Sequence, residues 1–150
     1  MSRISTIASL LLSIPLVAGP FAPTPIVQAQ QVSITARVPF EFSANNQRLP
    51  AGVYQIKLIS DRFLLLYNTN TRKSQFLMVS PAWVDLIQSQ GRLLFHNYDG
   101  RHHYLYQVEI PGRSGYSELM PSRSERQMML ATKLSSSPVN VEEALATPVR

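Results

Sequence analysis

The sequence predicts an all-β fold, a small antiparallel β-sandwich or barrel of about six strands with one short C-terminal helix. Three observations predict it. Short runs of residues alternate between apolar and polar with the period of two that half-buried strands show. Turn-forming residues separate these runs about every 8 to 12 residues. A helix-capping motif then lies near the C-terminal end, after the last predicted strand.

The composition fits one globular domain. The chain has 150 residues, 45% of them apolar, and a formal charge of +5. It contains no cysteine, so it has neither a disulfide framework nor the residue that lipidation behind a leader requires. Its basic residues are scattered along the chain. This pattern argues against a nucleic-acid-binding stripe.

Residues 1–29 predict a cleavable secretory signal peptide. Arg3 gives a positive start, residues 4–18 form an apolar core, and small residues at Val27 and Ala29 suit a signal peptidase that cuts after Ala29. The alternative is a retained membrane anchor. However, about 15 apolar residues span only ~22 Å as a helix, less than the ~30 Å hydrocarbon core. We therefore expect an exported protein, periplasmic or extracellular, with no stable membrane span after cleavage.

The mature chain is expected to form a β-rich domain over residues 32–133, followed by a mobile polar tail over 134–150. Pro39 predicts an edge strand or a bend within the first strand. A capping box from Ser122 to Glu125 predicts a helix that runs to about Lys133. Residues 81–88 fit a strand or a helical turn equally well. The predicted strands cover residues 32–42, 53–59, 63–67, 74–79, 92–98 and 101–110.

The last two predicted strands are joined by Asp99-Gly100, which favours a two-residue type I′ hairpin turn. That register places His96 opposite His103. Directly opposed residues have Cβ atoms about 5 Å apart, a distance at which two imidazoles can bind Zn²⁺ or Cu²⁺. A stable site needs more ligands, and the neighbouring residues offer none on that face. The simpler alternative is two ordinary sheet histidines, so no metal or cofactor is expected.

Aromatic residues cluster in the same region. Tyr98, Tyr104 and Tyr106 could form a stacking platform for sugars, with Arg101 opposite Tyr98 in reach of a cation–π contact. In a domain of this size, such rings are more often part of the core.

The sequence shows no nucleophile elbow, P-loop or dinucleotide fingerprint. Three hypotheses about function remain. The first is a non-enzymatic exported β domain that serves as a structural or binding module of the cell envelope or exterior. The second is a module that binds a glycan or another polymer through the late tyrosines. The third is a metal protein or enzyme centred on His96 and His103. An envelope component or a polysaccharide is the expected kind of partner, and nucleic acid is not.

Two segments resemble a known family. Val38-Pro-Phe-Glu-Phe42 followed by Leu49-Pro-Ala-Gly-Val-Tyr54, and later Arg92 to Gly100 followed by Ser122-Arg-Ser-Glu-Arg126, are similar to a VPFxF…LPAGxY…LxFxxYG…SRxER pattern. This pattern is typical of small exported proteins of Acidobacteria and similar soil bacteria. The family is functionally uncharacterised, so the resemblance implies a compartment and a fold but no catalytic residue. The chain departs from the pattern at Asp99-Gly100, where a Gly-Asp order is common, and at His103, where an aromatic residue is frequent.

Overall fold

The computed structural model describes residues 32–135 and 138–149, except for the side chains at positions 85 and 86. The prediction of an all-β fold with one helix near the C-terminus is confirmed. The elements are β1 (Ser33–Val38), β2 (Phe42–Ala44), β3 (Gln47–Leu49), β4 (Gly52–Ser60), β5 (Phe63–Asn68), β6 (Ser74–Ile87), β7 (Gly91–Asn97), β8 (His103–Glu109), β9 (Ser114–Leu119), α1 (Arg123–Ser135) and β10 (Asn140–Pro148).

Eight of these strands close into a barrel in the order β1-β4-β5-β6-β9-β8-β7-β10, and β10 returns to β1. Every neighbouring pair in this ring is antiparallel. Closure leaves none of the eight strands at an open edge. Of the two architectures that the sequence left open, the chain therefore adopts the barrel.

The short β2–β3 hairpin lies outside the ring. It joins the barrel through β2, which pairs in parallel with β8 so that Phe42 lies opposite His103. The chain reaches this hairpin through the bend predicted at Pro39, because β1 ends at Val38. The strand before the bend is nevertheless not an edge strand, since β1 lies between β4 and β10.

The two ends of the barrel differ. The end that carries the β2–β3 hairpin, the loop 98–102 and α1 is called the upper end here. The lower end consists of the connections 61–62, 88–90 and 110–113. There, Gln88 exchanges backbone hydrogen bonds with the turn at Gly112 and Arg113.

The barrel interior is a packed hydrophobic core. Each large apolar side chain buried there contributes roughly 1.5–3 kcal/mol relative to an exposed one. The one polar exception among the fully buried large side chains is Tyr54, whose hydroxyl donates to the Pro50 carbonyl oxygen at 2.5 Å. The largest of these side chains are Tyr54, Phe42, Phe95, Ile34, Ile56, Leu64, Leu66, Leu77, Leu93, Val38 and Val108.

The expected number of about six strands is too low, because β3, β9 and β10 were not predicted. Residues 81–88, left open between strand and helical turn, mostly belong to β6. The capping box is confirmed in one half: the Glu125 amide donates to the Ser122 hydroxyl at 3.1 Å.

The prediction of a mobile tail from residue 134 is wrong for β10. This strand hydrogen-bonds to β1 on one side and to β7 on the other. Ala144 and Ala146 face inward and are 4% and 6% exposed. The β domain therefore extends to Pro148 rather than ending at residue 133.

The predicted signal peptide, with its cleavage after Ala29, lies outside the described residues. Within the described part of the chain, no helix has the length and apolar character needed to cross a membrane.

Candidate functional site

The β7–β8 connection decides where the predicted histidines lie. It is a loop of five residues, 98–102, rather than a two-residue turn. Asn97 lies opposite His103, and His96 lies opposite Tyr104. The predicted register is wrong by one residue. Because successive strand residues point to opposite faces, His96 lies on the outside of the barrel and His103 on the inside.

Side-chain hydrogen bonds build this longer loop. Asp99 Oδ1 accepts from the backbone amides of Arg101 at 3.0 Å and His102 at 2.8 Å, and Oδ2 lies 2.7 Å from His102 Nδ1. Asn97 Oδ1 accepts from the Gly100 amide at 2.6 Å. The hydrogen bond to the His102 ring, above all, lowers the pKa of Asp99 to about 2. Arg101 is exposed in this loop.

Tyr98, Tyr104, Tyr106, His96 and Glu125 form an outer aromatic cluster between the barrel and α1. The His96 ring stacks on Tyr106 with centroids 3.8 Å apart and planes inclined by 2°. Its Nδ1 lies 2.9 Å from Glu125 Oε1, and the Tyr98 hydroxyl donates to the same oxygen at 3.3 Å. Tyr98 also packs edge-on against Tyr104 at 5.7 Å.

Two tyrosine rings of this cluster and its carboxylate are buried, whereas His96 and Tyr106 are half-buried. Tyr98 and Tyr104 are 6% and 5% exposed, and Glu125 is 3% exposed. Burial and the negative charge of Glu125 raise the pKa of Tyr98 well above its usual value. Burial and the charge of Glu109 also raise the pKa of Tyr106. The Tyr98 hydroxyl is therefore held as a hydrogen-bond donor to Glu125, and its ring offers no open face for stacking a sugar.

His103 lies inside the upper end of the barrel. Its ring stacks on Phe40 with centroids 4.0 Å apart. Its Nε2 lies 3.3 Å from Asn97 Nδ2 and 3.3 Å from Glu142 Oε2. Asn97 Nδ2 also donates to Glu142 Oε1 at 2.6 Å. Residues 32–135 and 138–149 contain no group of three or more His, Asp or Glu side chains able to hold a metal ion.

A cavity of about 130 Å³ opens at the upper end, between the β2–β3 hairpin and the ends of β4, β5 and β6. We call it the upper cavity. None of the residues predicted as a site contributes to it. Its lining includes Arg48, Leu49, Tyr54, Leu66, Asn68, Lys73 and Gln75.

Two side chains in the lining of the upper cavity each hold one buried polar atom without a hydrogen-bond partner of ordinary geometry, namely Asn68 Nδ2 and Gln75 Oε1. The other end of each amide is engaged. Asn68 Oδ1 accepts from the backbone amides of Asn70 and Thr71, both at 2.9 Å, and Gln75 Nε2 donates to the Ala44 carbonyl at 3.2 Å. Each amide is thus fixed in orientation by one end, whereas the other end, Asn68 Nδ2 near the Tyr54 hydroxyl and Gln75 Oε1, makes no hydrogen bond of ordinary geometry.

Tyr54 forms the inner part of the cavity lining. Burial raises the pKa of its hydroxyl, and the nearby Asn68 amide acts in the opposite direction. At the mouth, Arg48 forms an ion pair with Glu41 at 3.0 Å, and Lys73 is exposed. The lining therefore combines aliphatic and aromatic surface with oriented amides and positive charge.

The upper cavity had one detectable sign in the sequence. Gln75, Leu77 and Val79 alternate along β6, so Gln75 is a polar residue on the strand face that otherwise enters the core. A buried polar side chain in such a register marks a specific hydrogen-bonding environment.

Comparison with known proteins found no match: no protein-family model matches the chain, and no curated protein or solved structure is significantly similar to it.

Proposed function

We propose that this chain is an exported, non-enzymatic binding module in which the barrel is a rigid scaffold and the upper cavity is the ligand site. The observation that carries the proposal is the pair of oriented side-chain amides, Asn68 and Gln75, in the lining of one cavity, each with a buried polar atom that lacks a hydrogen-bond partner of ordinary geometry. A buried polar group without a partner costs roughly 1–3 kcal/mol. A ligand that supplies both missing hydrogen bonds recovers that free energy on binding.

The two free groups define the chemistry of the ligand. Asn68 Nδ2 needs an acceptor and Gln75 Oε1 needs a donor, and a hydroxyl group can serve as either. Leu49 supplies partly exposed apolar surface, with the buried Leu66 and Tyr54 behind it, against which the carbon skeleton of a sugar packs. Together these features favour a small polyhydroxylated, sugar-like ligand. The exposed ammonium of Lys73 favours one that also carries a carboxylate.

This proposal places sugar recognition at a site other than the late tyrosines. Tyr98 and Tyr104 are buried in the outer aromatic cluster, whereas the upper cavity opens to solvent between strand ends. The predicted leader supplies the reason to place the module outside the cytoplasm, in the envelope or the exterior.

The test is a titration of the ¹⁵N-labelled chain with glucose and with glucuronate, followed by amide chemical shifts. We expect shifts confined to the residues around the upper cavity, and tighter binding of glucuronate. Gln75→Leu should weaken binding about tenfold, because it removes one oriented hydrogen bond. Gln55→Leu, a substitution of the same kind on the half-buried outer side of β4, is the matched control and should bind like the wild type.

Three outcomes would contradict the proposal. One is the absence of saturable shifts with either sugar. Another is a set of shifts centred on residues 98–106. The third is equal binding by the Gln75→Leu variant, which would mean that water alone satisfies the two amides.

A further inference from the structure

A contiguous apolar patch lies on the outside of the barrel. Phe63 on β5 is directly opposite Met78 on β6, and Leu65 is directly opposite Phe76. Met120 borders the same groove as Met78. Ile59 lies at the β4 bulge next to Phe63. We call Ile59, Phe63, Phe76, Met78 and Met120 the outer apolar patch.

These side chains are strongly exposed. Phe76, Met78 and Met120 are 65%, 61% and 72% exposed, and Ile59 and Phe63 are 44% and 42% exposed. Single exposed apolar residues are common, but several in one contiguous patch mark an interaction surface. The groove along Met78 and Met120 has a volume of about 480 Å³.

The charges around the outer apolar patch are mostly positive, with one exposed carboxylate, Glu118, directly opposite the groove residue Ser80. Lys57 is directly opposite Leu65 on the neighbouring strand, and Arg62 lines the groove with Met78 and Met120. β4 and β5, which supply Ile59 and Phe63, contain no acidic residue. The nearby Asp61 is paired with Arg113 at 3.0 Å.

The geometry points to the surface of an anionic lipid bilayer as the occupant of this patch. Apolar side chains rimmed by Lys and Arg bind at the boundary between headgroups and acyl chains, and the cations gain from anionic headgroups. A second copy of the chain fits less well. In a two-fold interface the same patch meets itself, so each copy would meet a rim with the same excess of positive charge. The patch therefore docks the barrel on a membrane without inserting a helix.

The test is co-sedimentation of the chain from Gln30 onward, which contains the whole barrel, with lipid vesicles. We expect binding to vesicles of phosphatidylglycerol and phosphatidylcholine, and little binding to phosphatidylcholine alone. The double variant Phe76→Ser/Met78→Ser should bind about tenfold more weakly, because binding scales with buried apolar area. Lys57→Gln/Arg62→Gln should lose the preference for anionic lipid while it keeps the apolar patch.

Leu145→Ser is the matched control, since Leu145 is 64% exposed on β10 and lies outside the patch. It should bind like the wild type. Circular dichroism and thermal unfolding show whether each variant keeps the fold. Failure to bind anionic vesicles, or equal binding by Phe76→Ser/Met78→Ser, would overturn the inference. So would a dimer in light scattering that the same double variant converts to a monomer.

Discussion

Glu125 shows how a local motif can be redirected by tertiary structure. As the third residue of α1 it is placed to reach back to the Ser122 amide, as in a capping box. Its carboxylate instead turns to His96 and Tyr98 on the barrel. The buried residues of α1 are Glu125 and Thr132, both polar. The helix is therefore anchored at its start largely by hydrogen bonds rather than by an apolar stripe.

The raised pKa of Tyr98 predicts a stability change at alkaline pH. An unfolded tyrosine ionises near pH 10, whereas folded Tyr98 keeps its proton to higher pH. The folded state then binds more protons, so its extra stability is complete below pH ~10 and is lost as pH rises. We expect this residue to lower the free energy of unfolding by at most about 1.4 kcal/mol per pH unit above that point.

The measurement is urea unfolding of the wild type, Tyr98→Phe and Tyr67→Phe between neutral and strongly alkaline pH. Tyr98→Phe should lose stability more slowly with pH than the wild type. Tyr67→Phe, on the outer side of β5 away from Glu125, is the control and should follow the wild type. Identical slopes for the wild type and Tyr98→Phe would contradict the raised pKa of Tyr98.

Individual site residues were the hardest feature to predict. The position of the β7–β8 hairpin was right, but its register depended on Asn97 and Asp99, whose side chains bind loop amides in place of a tight turn. This difference of one residue in strand register places His103 on the inner face of the barrel instead of beside His96. Gln75 on the core face of β6 was the one local sign of the upper cavity, but its position could not be predicted, because Asn68 and Gln75 meet there with a hairpin about 20 to 30 positions earlier in the chain.

Among the elements, β10 has the weakest sequence pattern and one of the most central positions. Its core face is supplied by Ala144 and Ala146, and its outer face includes Glu143 and Leu145. The reason for the small residues is the close approach of β7. A Cβ atom placed on Gly91 would lie 3.1 Å from the Ala146 Cβ. Alanine and glutamate are poor strand formers, so the strand resembles a polar tail.

Two neighbouring substitutions in β10 test its position. Ala144→Asp should lower the free energy of unfolding by several kcal/mol or prevent folding, because it puts an unpaired carboxylate into the core. Leu145→Asp should change it by less than about 1 kcal/mol, because that side chain is exposed beside Arg92.

Chemical denaturation of both variants gives the comparison. The two substitutions introduce the same residue one position apart, so each serves as the control for the other. Similar small effects from both would mean that the segment is not packed as β10 and behaves as the mobile tail that its composition suggests.

Strands with clear alternation and large apolar residues were predictable, as β4, β5 and β7 illustrate. The failure at β9 has a different cause. Gly115 adopts φ 91° and approaches β6 so closely that a Cβ atom there would lie 2.1 Å from the Ala82 carbonyl oxygen. A strand that must carry glycine at such a contact lacks the β-branched and aromatic pattern by which strands are recognised.

At the scale of the whole molecule, barrel closure depends on pairs that lie far apart in sequence. The β1–β10 pair joins residues near Ala36 to residues near Ala146, and the β6–β9 pair excludes β7 from the neighbouring position. Local patterns predict strands but not these partners. This is why the sequence alone did not distinguish a β-sandwich from a β-barrel.

The predicted leader implies a specific processing product in a bacterial host. The exported product should begin at Gln30, since Val27 and Ala29 suit the peptidase. Ala29→Leu should block cleavage and leave a longer product, whereas Gln28→Ala, between the two recognised positions, should be processed normally. Intact mass spectrometry of the periplasmic and medium fractions distinguishes these products. An unprocessed wild-type chain retained in the membrane would show that the segment is an anchor.

The pairing of β1 with β10 also sets a time order for folding. The ring lacks its last member until residues 140–148 have left the ribosome, because they lie between the earliest barrel strand and β7. In a growing chain, β1 and β7 therefore lack their shared partner β10, and the barrel cannot reach its native state before β10 is made. Until then β1 and β7 expose unpaired backbone groups, so the ring closes only after residues 140–148 have been made.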